Sequence, residues 1–199
     1  MSIFYQKTIE SAINSLSEEE SRHCVSVLRY QEGDEIIIFD GKGGKHRSTL
    51  TKVSKKKCEF EIVETNQASP KKFRIHLAIA PTKSMDRMEW LIEKLVEFGV
   101  DEVTLLETNH SERRKLRMDR LEKKAIGAMK QSGNPFLITI NPITKLTQFI
   151  AQDHSQIKLM AHVDSHHAYI GDLTEPNKQV SILIGPEGDF STDEVKLAS

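Results

Sequence analysis

Only two cysteines occur in the 199 residues, Cys24 and Cys58, with neither CxxC spacing nor the count of a disulfide framework. They read as reduced cytosolic thiols. No apolar run approaches the roughly 20 residues needed to span a bilayer. The start, MSIFYQKTIE, lacks the basic opening and long apolar core of a signal peptide. Neither GxGxxG nor a Walker loop is present, which counts against a dinucleotide- or triphosphate-using enzyme. There is no internal repeat and no low-complexity segment. What remains is a globular composition, 38% hydrophobic and 29% charged, long enough for one large domain or two small ones. The expected location is the cytoplasm, with no membrane partner.

Net charge is only −1, yet the charges are unevenly spread. From Lys42 to Lys57 seven Lys/Arg stand with no acid, and from Glu112 to Lys124 seven basic residues face three acidic ones. Local field rather than net charge steers a polyanion, so two such runs on a near-neutral chain point to a phosphate-bearing partner.

The first 65 residues read mostly as β. DEIIIFD (Asp34–Asp40), HRSTLTKV (His46–Val53) and KCEFEIVE (Lys57–Glu64) are strand-like, with GKGG (Gly41–Gly44) as a turn. Cys58, Phe60 and Ile62 alternate with charged neighbours, as on a half-buried strand. One helix interrupts them: Ser17 and Glu20 form a capping box, and SRHCVSVLRY continues the helix. Short strands with glycine turns suggest a small barrel. Arg22, Arg29 and His23 fall near one face of that helix, beside the basic segment, and read as phosphate contacts to RNA.

Thr65–Lys72 reads as a linker, and the pattern then changes. FRIHLAIA (Phe73–Ala80) is a buried strand. SMDRMEWLIEKLVEFG (Ser84–Gly99) is a helix with Ser84 as N-cap and Gly99 as stop; Met88, Leu91, Ile92 and Leu95 form its apolar stripe. EVTLLE, DRLEKKAIGAMKQS, FLITI, TKLTQFIAQ, IKLMAHV and VSILIG continue the alternation, which means a parallel α/β sheet.

Two stretches carry chemistry. In ILIGPEGDFSTDEV a strand runs into a turn, where Gly185 and Gly188 let a ligand approach the backbone and Pro186 stiffens it. Ser191 and Glu194 form a second capping box that fixes the helix start. In HVDSHH, His162, Asp164 and His166 share a face if the strand continues. No fourth ligand joins them, so they read as surface residues and no metal is expected.

RHCVSVLRYQEGD, KSMDRMEWLIEKLVEFGV, SERRK, KQSGNP and LIGPEGDFSTDEV stand in this order and at these separations. Together they resemble the bacterial 16S ribosomal RNA uridine N3-methyltransferase family of the SPOUT superfamily, over essentially the whole chain. The resemblance implies an RNA-binding PUA-like β-barrel over residues 1–66. It implies a SPOUT (trefoil-knot) parallel α/β methyltransferase domain over residues 73–199, incomplete at its C-terminus. It also implies S-adenosylmethionine (SAM) as methyl donor, a homodimer, and 16S rRNA of the 30S subunit as substrate. A non-catalytic RNA-binding protein with a degenerate α/β domain is the alternative.

Carried over by position, Ile184, Gly185, Pro186, Glu187 and Gly188 match the second SAM loop, and the segment from Ala161 and His162 to Asp164 occupies the place of the first. Lys94, Glu97 and Gly99 match the family's helix end, Glu112 and Arg113 its ER pair, and Gln131 and Ser132 its QS pair. Lys130 and Asn134 depart from the acid and arginine that many members carry there. The RNA contacts implied are Arg22, His23, Arg29, Lys42, Lys45, Arg47, Lys55, Lys56, Lys57 and Arg113. No residue is assigned as general base. The family pattern continues with a knot-closing Arg-Ile-Leu-Arg-type segment that these 199 residues do not contain. On that pattern these residues by themselves are expected to bind SAM weakly or not at all and to methylate nothing.

Overall fold

A computed structural model describes residues 1–10, 13–163, 169–173, 175 and 178–198. The chain divides into two units, Met1–Pro70 with Met129–Leu137, and Lys71–Ala128 with Ile138–Ser199. None of the described helices is long and apolar enough to cross a membrane.

The first unit is a five-stranded mixed sheet of β1 (Ile3–Tyr5), β2 (Asn14–Ser15), β3 (Glu35–Phe39), β4 (Gly44–Lys52) and β5 (Glu59–Gln67), with the helix α1 (Glu18–Ser26) between β2 and β3. Strand order is β1-β3-β4-β5-β2, with β1 parallel to β3 and the other pairs antiparallel. Period-2 alternation turns His46, Ser48 and Leu50 of β4 inward and Lys45 outward. Phe4, Cys24, Ile36, Ile38, Leu50, Cys58 and Phe60 then meet in one buried cluster. Because β1 at one edge and β5 beside the other both feed that cluster, the sheet must curl around it. Burial among these side chains, with Cys58 beside it, pushes the Cys24 thiol up to about 12, so it stays protonated.

Several local readings hold here and some do not. Ser17 caps α1 by accepting from the Glu20 amide at 3.2 Å, while the Glu20 carboxylate pairs with Lys130 at 2.7 Å. The helix ends at Ser26 rather than continuing to Tyr30, and Arg29 takes a left-handed φ of 59°. The expected linker start is also overturned. Thr65, Asn66 and Gln67 belong to β5, because Gly44, Lys45 and His46 offer them a ladder. The connection shrinks to residues 68–73.

The second unit is a five-stranded parallel sheet of β6 (Arg74–Ile79), β7 (Glu102–Glu107), β8 (Thr139–Lys145), β9 (Ile157–Ala161) and β10 (Gln179–Ile184). Its order is β8-β7-β6-β10-β9. Helices α2 (Met85–Phe98), α3 (Met118–Ser132), α4 (Leu146–Gln152), α5 (Ile170–Leu173) and α6 (Thr192–Ala198) connect or follow the strands. Burying each large side chain of such a sheet contributes about 1.5–3 kcal/mol. Ala78, Leu106, Leu146, Phe149, Leu183 and Phe190 form one of its clusters. β8 begins at Thr139, not at Phe136 as FLITI suggested; Phe136 belongs to the first unit, where it bridges Lys42. Pro142 is accommodated because β8 is an edge strand with a register shift opposite Thr104–Leu106.

Helix α2 follows its sequence signals closely. Ser84 Oγ accepts from the Arg87 amide at 3.4 Å, and Met88, Ile92, Leu95 and Val96 are buried. Gly99 ends the helix at φ 74°, where its N–H reaches the Val96 carbonyl at 3.0 Å and the Val100 amide reaches that of Leu95 at 2.8 Å. A Cβ at that φ is strained, so Gly99→Ala should lower the unfolding free energy by about 1 kcal/mol in urea denaturation.

Candidate functional site

The order β8-β7-β6-β10-β9 contains a reversal. From β6 the chain steps outward to β7 and β8, then crosses to build β9 and β10 on the other side. The switch point lies where β10 meets β6, and ligands of open parallel sheets sit there, beyond the carboxyl ends of the strands. Ile184, the last residue of β10, pairs with Ile79 at the end of β6 and with Ala161 at the end of β9. The two expected SAM loops, Ala161–His162 and Ile184–Gly188, therefore leave adjacent strands at the same edge.

Side chains rather than ladders fix these loops. The carboxylate of Asp189 accepts from the Val163 amide at 2.9 Å and from the Phe190 amide at 2.7 Å. These two bonds hold the Asp189 carboxyl below the usual carboxylate range. The Asp189 carbonyl accepts from His110 Nδ1 at 3.0 Å, so the ring proton sits on that nitrogen. Glu194, 8% exposed, accepts from the Asn109 amide at 2.8 Å and from the Ser191 amide at 2.9 Å. Ser191 Oγ in turn takes the Glu194 amide at 3.3 Å, completing the expected capping box. Val195 packs on the cluster that contains Phe190, while Leu197 remains half exposed.

The two glycines do different work. A Cβ on Gly185 would come within 3.1 Å of the Phe190 ring and 3.3 Å of its backbone nitrogen. A Cβ on Gly188 would meet His110 no closer than 3.4 Å, an ordinary contact. The fold thus needs Gly185 bare, whereas it leaves room at Gly188. Among the described residues the amides of Glu187 and Gly188 have no hydrogen-bond partner, which leaves them as donors for a ligand.

Asn109, His110 and Asp189 are neighbours of the expected SAM loops that the sequence reading did not single out. Their signal was the position of TNHS directly after β7, at the same sheet edge. Of the His162–Asp164–His166 triplet, Asp164 and His166 lie outside the described residues, and His162 follows the last residue of β9.

The expected RNA contacts do not form one patch. Lys42 and Lys45 lie at the β3–β4 turn, while Lys55 and Lys56 lie past the far end of nine-residue β4. At about 3.3 Å per residue the strand sets these groups up to roughly 25 Å apart. Between them Arg47 is clamped by Glu35 at 2.8 Å and Glu64 at 3.1 Å, and Lys57 pairs with Glu59 at 2.8 Å. Arg22 pairs with Glu18 at 2.8 Å, His23 is exposed in the last turn of α1, and Arg29 lies beyond the helix rather than on its face. Arg113 donates to the Lys83 carbonyl, and Lys83 pairs with Glu112, so both stand at the carboxyl edge with the expected SAM loops.

A cavity of about 430 Å³ opens at the opposite, amino-terminal edge of the second sheet. Four of its polar residues bond to one another. His76 Nε2 lies 2.7 Å from Thr104 Oγ1, and Asn141 donates to Glu102 at 2.7 Å and to Thr104 at 2.9 Å. Burial pulls His76 below the ordinary imidazole range, which keeps it neutral at pH 7. This network holds β6, β7 and β8 together.

Residues 69–199 match the model of an RNA methyltransferase domain, and residues 16–63 that of an RNA methyltransferase PUA domain. Among curated relatives, ribosomal RNA small subunit methyltransferase E of Bacillus subtilis is 24% identical, over 96% of this chain and 80% of its own length. Among solved structures, a probable rRNA-methyltransferase from Porphyromonas gingivalis is 39% identical with a TM-score of 0.93, covering 100% of this chain and 85% of that one. Ribosomal RNA small subunit methyltransferase E from Neisseria gonorrhoeae, solved bound to S-adenosyl methionine, is 26% identical with a TM-score of 0.87, covering 100% and 84%.

The glycine geometry gives a direct test. Gly185→Ala should lower the melting temperature by several degrees, as expected for overpacking of about 1 kcal/mol or more. Gly188→Ala should leave it within a degree or two of the wild type, as for ordinary surface substitutions.

Proposed function

The chain belongs to the RNA methyltransferase family, with a PUA-like first unit and a SPOUT second unit, and we propose that it methylates N3 of a uridine in 16S rRNA. It is a SAM-dependent rRNA methyltransferase by the company it keeps. The observation that carries the reading is the loop after β10: it leaves the sheet at the switch point, is fixed by carboxylates, and turns free amides outward beside β9.

Bound there, SAM would supply a methyl group on a sulfonium, ready for in-line displacement. Ala161 and His162 would hold it on one side, Ile184 to Gly188 on the other. The rigid loops orient the donor, and alignment of donor and acceptor supplies much of the rate. Uridine N3 is an imide that must lose its proton, so the base has to be held out of its stack. Arg113, at the same edge and bonded there to a carbonyl, would help offset the charge that develops on the uracil ring, whereas Lys83 is paired with Glu112. The first unit, through Lys42, Lys45, Lys55 and Lys56, holds RNA phosphates without reading sequence. On this reading the protein is a cytoplasmic homodimer.

Deleting its gene should remove one N3-methyluridine from the cell's 16S rRNA, measured by nucleoside mass spectrometry. A 16S rRNA that keeps its full complement would overturn the assignment. In binding to small-subunit rRNA fragments, Lys42→Gln with Lys45→Gln, or Lys55→Gln with Lys56→Gln, should flatten the salt dependence by about 0.7–0.9 log units per lost phosphate contact. Arg47→Gln, already neutralised by Glu35 and Glu64, should leave that slope unchanged.

A further inference from the structure

We propose that Asp189 is a positioning residue of the cofactor site, tying the loops after β7, β9 and β10 into one cradle before the donor arrives. The role rests on the reading of Gly185–Gly188 as a SAM loop, while the tie itself consists of the hydrogen bonds that Asp189 makes.

Asp189 has a φ of 58°, one of two non-glycine residues at positive φ among those described. A side chain in this left-handed region costs about 1–2 kcal/mol relative to the right-handed one. Asp tolerates it better than most residues, yet glycine would take the same backbone without strain. The carboxylate is therefore what the position needs.

Every polar group of the residue is engaged. Its N–H donates to the Pro186 carbonyl at 2.9 Å, closing the turn within the β10 loop. Its carbonyl takes the His110 Nδ1 proton at 3.0 Å, bringing in the β7 loop. One carboxylate oxygen takes the Phe190 amide at 2.7 Å and so sets the start of the segment that anchors on the core. The other takes the Val163 amide at 2.9 Å, and Val163 follows the β9 residues expected against the donor.

Beyond Ala161 the β9–β10 ladder has ended, so the Val163 bond carries the register of the two walls past the sheet. Backbone N–H groups bonded to an ionised carboxylate are among the stronger neutral-to-charged contacts available to a loop. A donor that meets walls already in register does not pay to order them.

The test compares Asp189→Gly with Asp189→Asn in the full chain. The glycine variant keeps the backbone φ and removes both carboxylate bonds. Asparagine keeps a side-chain oxygen for one amide but loses the charge. With no ligand added, hydrogen exchange at Val163 and Phe190 should be about tenfold faster in the glycine variant, matching loss of one charge-assisted bond at each amide. Its melting temperature should fall by no more than a few degrees, since the relieved φ strain offsets part of the two lost bonds. The SAM dissociation constant by calorimetry should rise about tenfold, with asparagine between, while affinity for rRNA stays the same.

Unchanged exchange and unchanged SAM affinity would overturn the proposal. So would a lower melting temperature with affinity per folded molecule intact, since that marks a structural role. A wild-type chain that binds no SAM would instead sink the cofactor reading, and this role with it, even where the exchange result held.

Discussion

A loop at the carboxyl edge of a parallel sheet has left its ladder, yet it must keep amides exposed if it is to bind anything. Only side chains can then give it one shape, and here two carboxylates do so. Glu194 is nearly buried with no cation paired to it among the described residues, and it is stabilised there by the amides of Asn109 and Ser191. Asp189 does the same from the outside for Val163 and Phe190. Phe190 itself slots beneath Gly185 into the cluster of Leu106, Phe149 and Leu183. The glycine turn, the capping box and the apolar anchor are thus one device. Its stiffness derives from the core, and its free amides are what the core holds in place.

What could be read from the sequence was whatever is decided locally. Ser84, Gly99 and the stripe from Met88 to Leu95 carry α2 by themselves. The Ser191–Glu194 box needs only three residues of spacing, and both of its bonds form. The apolar runs of β6, β7 and β10 are parallel-strand signatures because both faces of those strands are covered. What was not legible depends on distant partners. β1 and β2 are three and two residues long, and they exist only because β3 and β5 offer them edges. β5 outruns its apolar pattern to Gln67 for the same reason. Phe136 looked like the start of a strand, but it bridges Lys42 instead.

A sequence also counts cations without showing which are already spoken for. The run from Lys42 to Lys57 looked like a continuous basic stripe. On the sheet, Glu35 and Glu64 flank Arg47, and Glu59 meets Lys57. Such exposed pairs add little to stability, but they decide what field a polyanion feels. Lys130, a departure from the family pattern, is likewise occupied, since it pairs with Glu20 of α1. At the candidate site the converse holds. His110 and Asn109 carry no charge pattern to notice, and they matter through hydrogen bonds to a loop some 80 positions away, as the 79-residue separation of His110 and Asp189 shows.

The strand order has a consequence for the route by which the chain folds. β6, β7 and β8 are neighbours both in sequence and in space, joined by α2 and by a connection that runs through α3 and the segment Met129–Leu137. β9 cannot join these three strands when they pair, because its place lies one strand beyond the open edge of β6. It must wait until β10 slots between the two and pairs with both. Until then the edges of β6 and β9 stay unpaired, the condition under which strands mispair or aggregate. Two long-range pairings form at that one step, and such non-local closure is slow. The ligand edge is therefore completed only when β10 pairs with β9, and a form of the second unit that lacks this pairing cannot hold both loops in register.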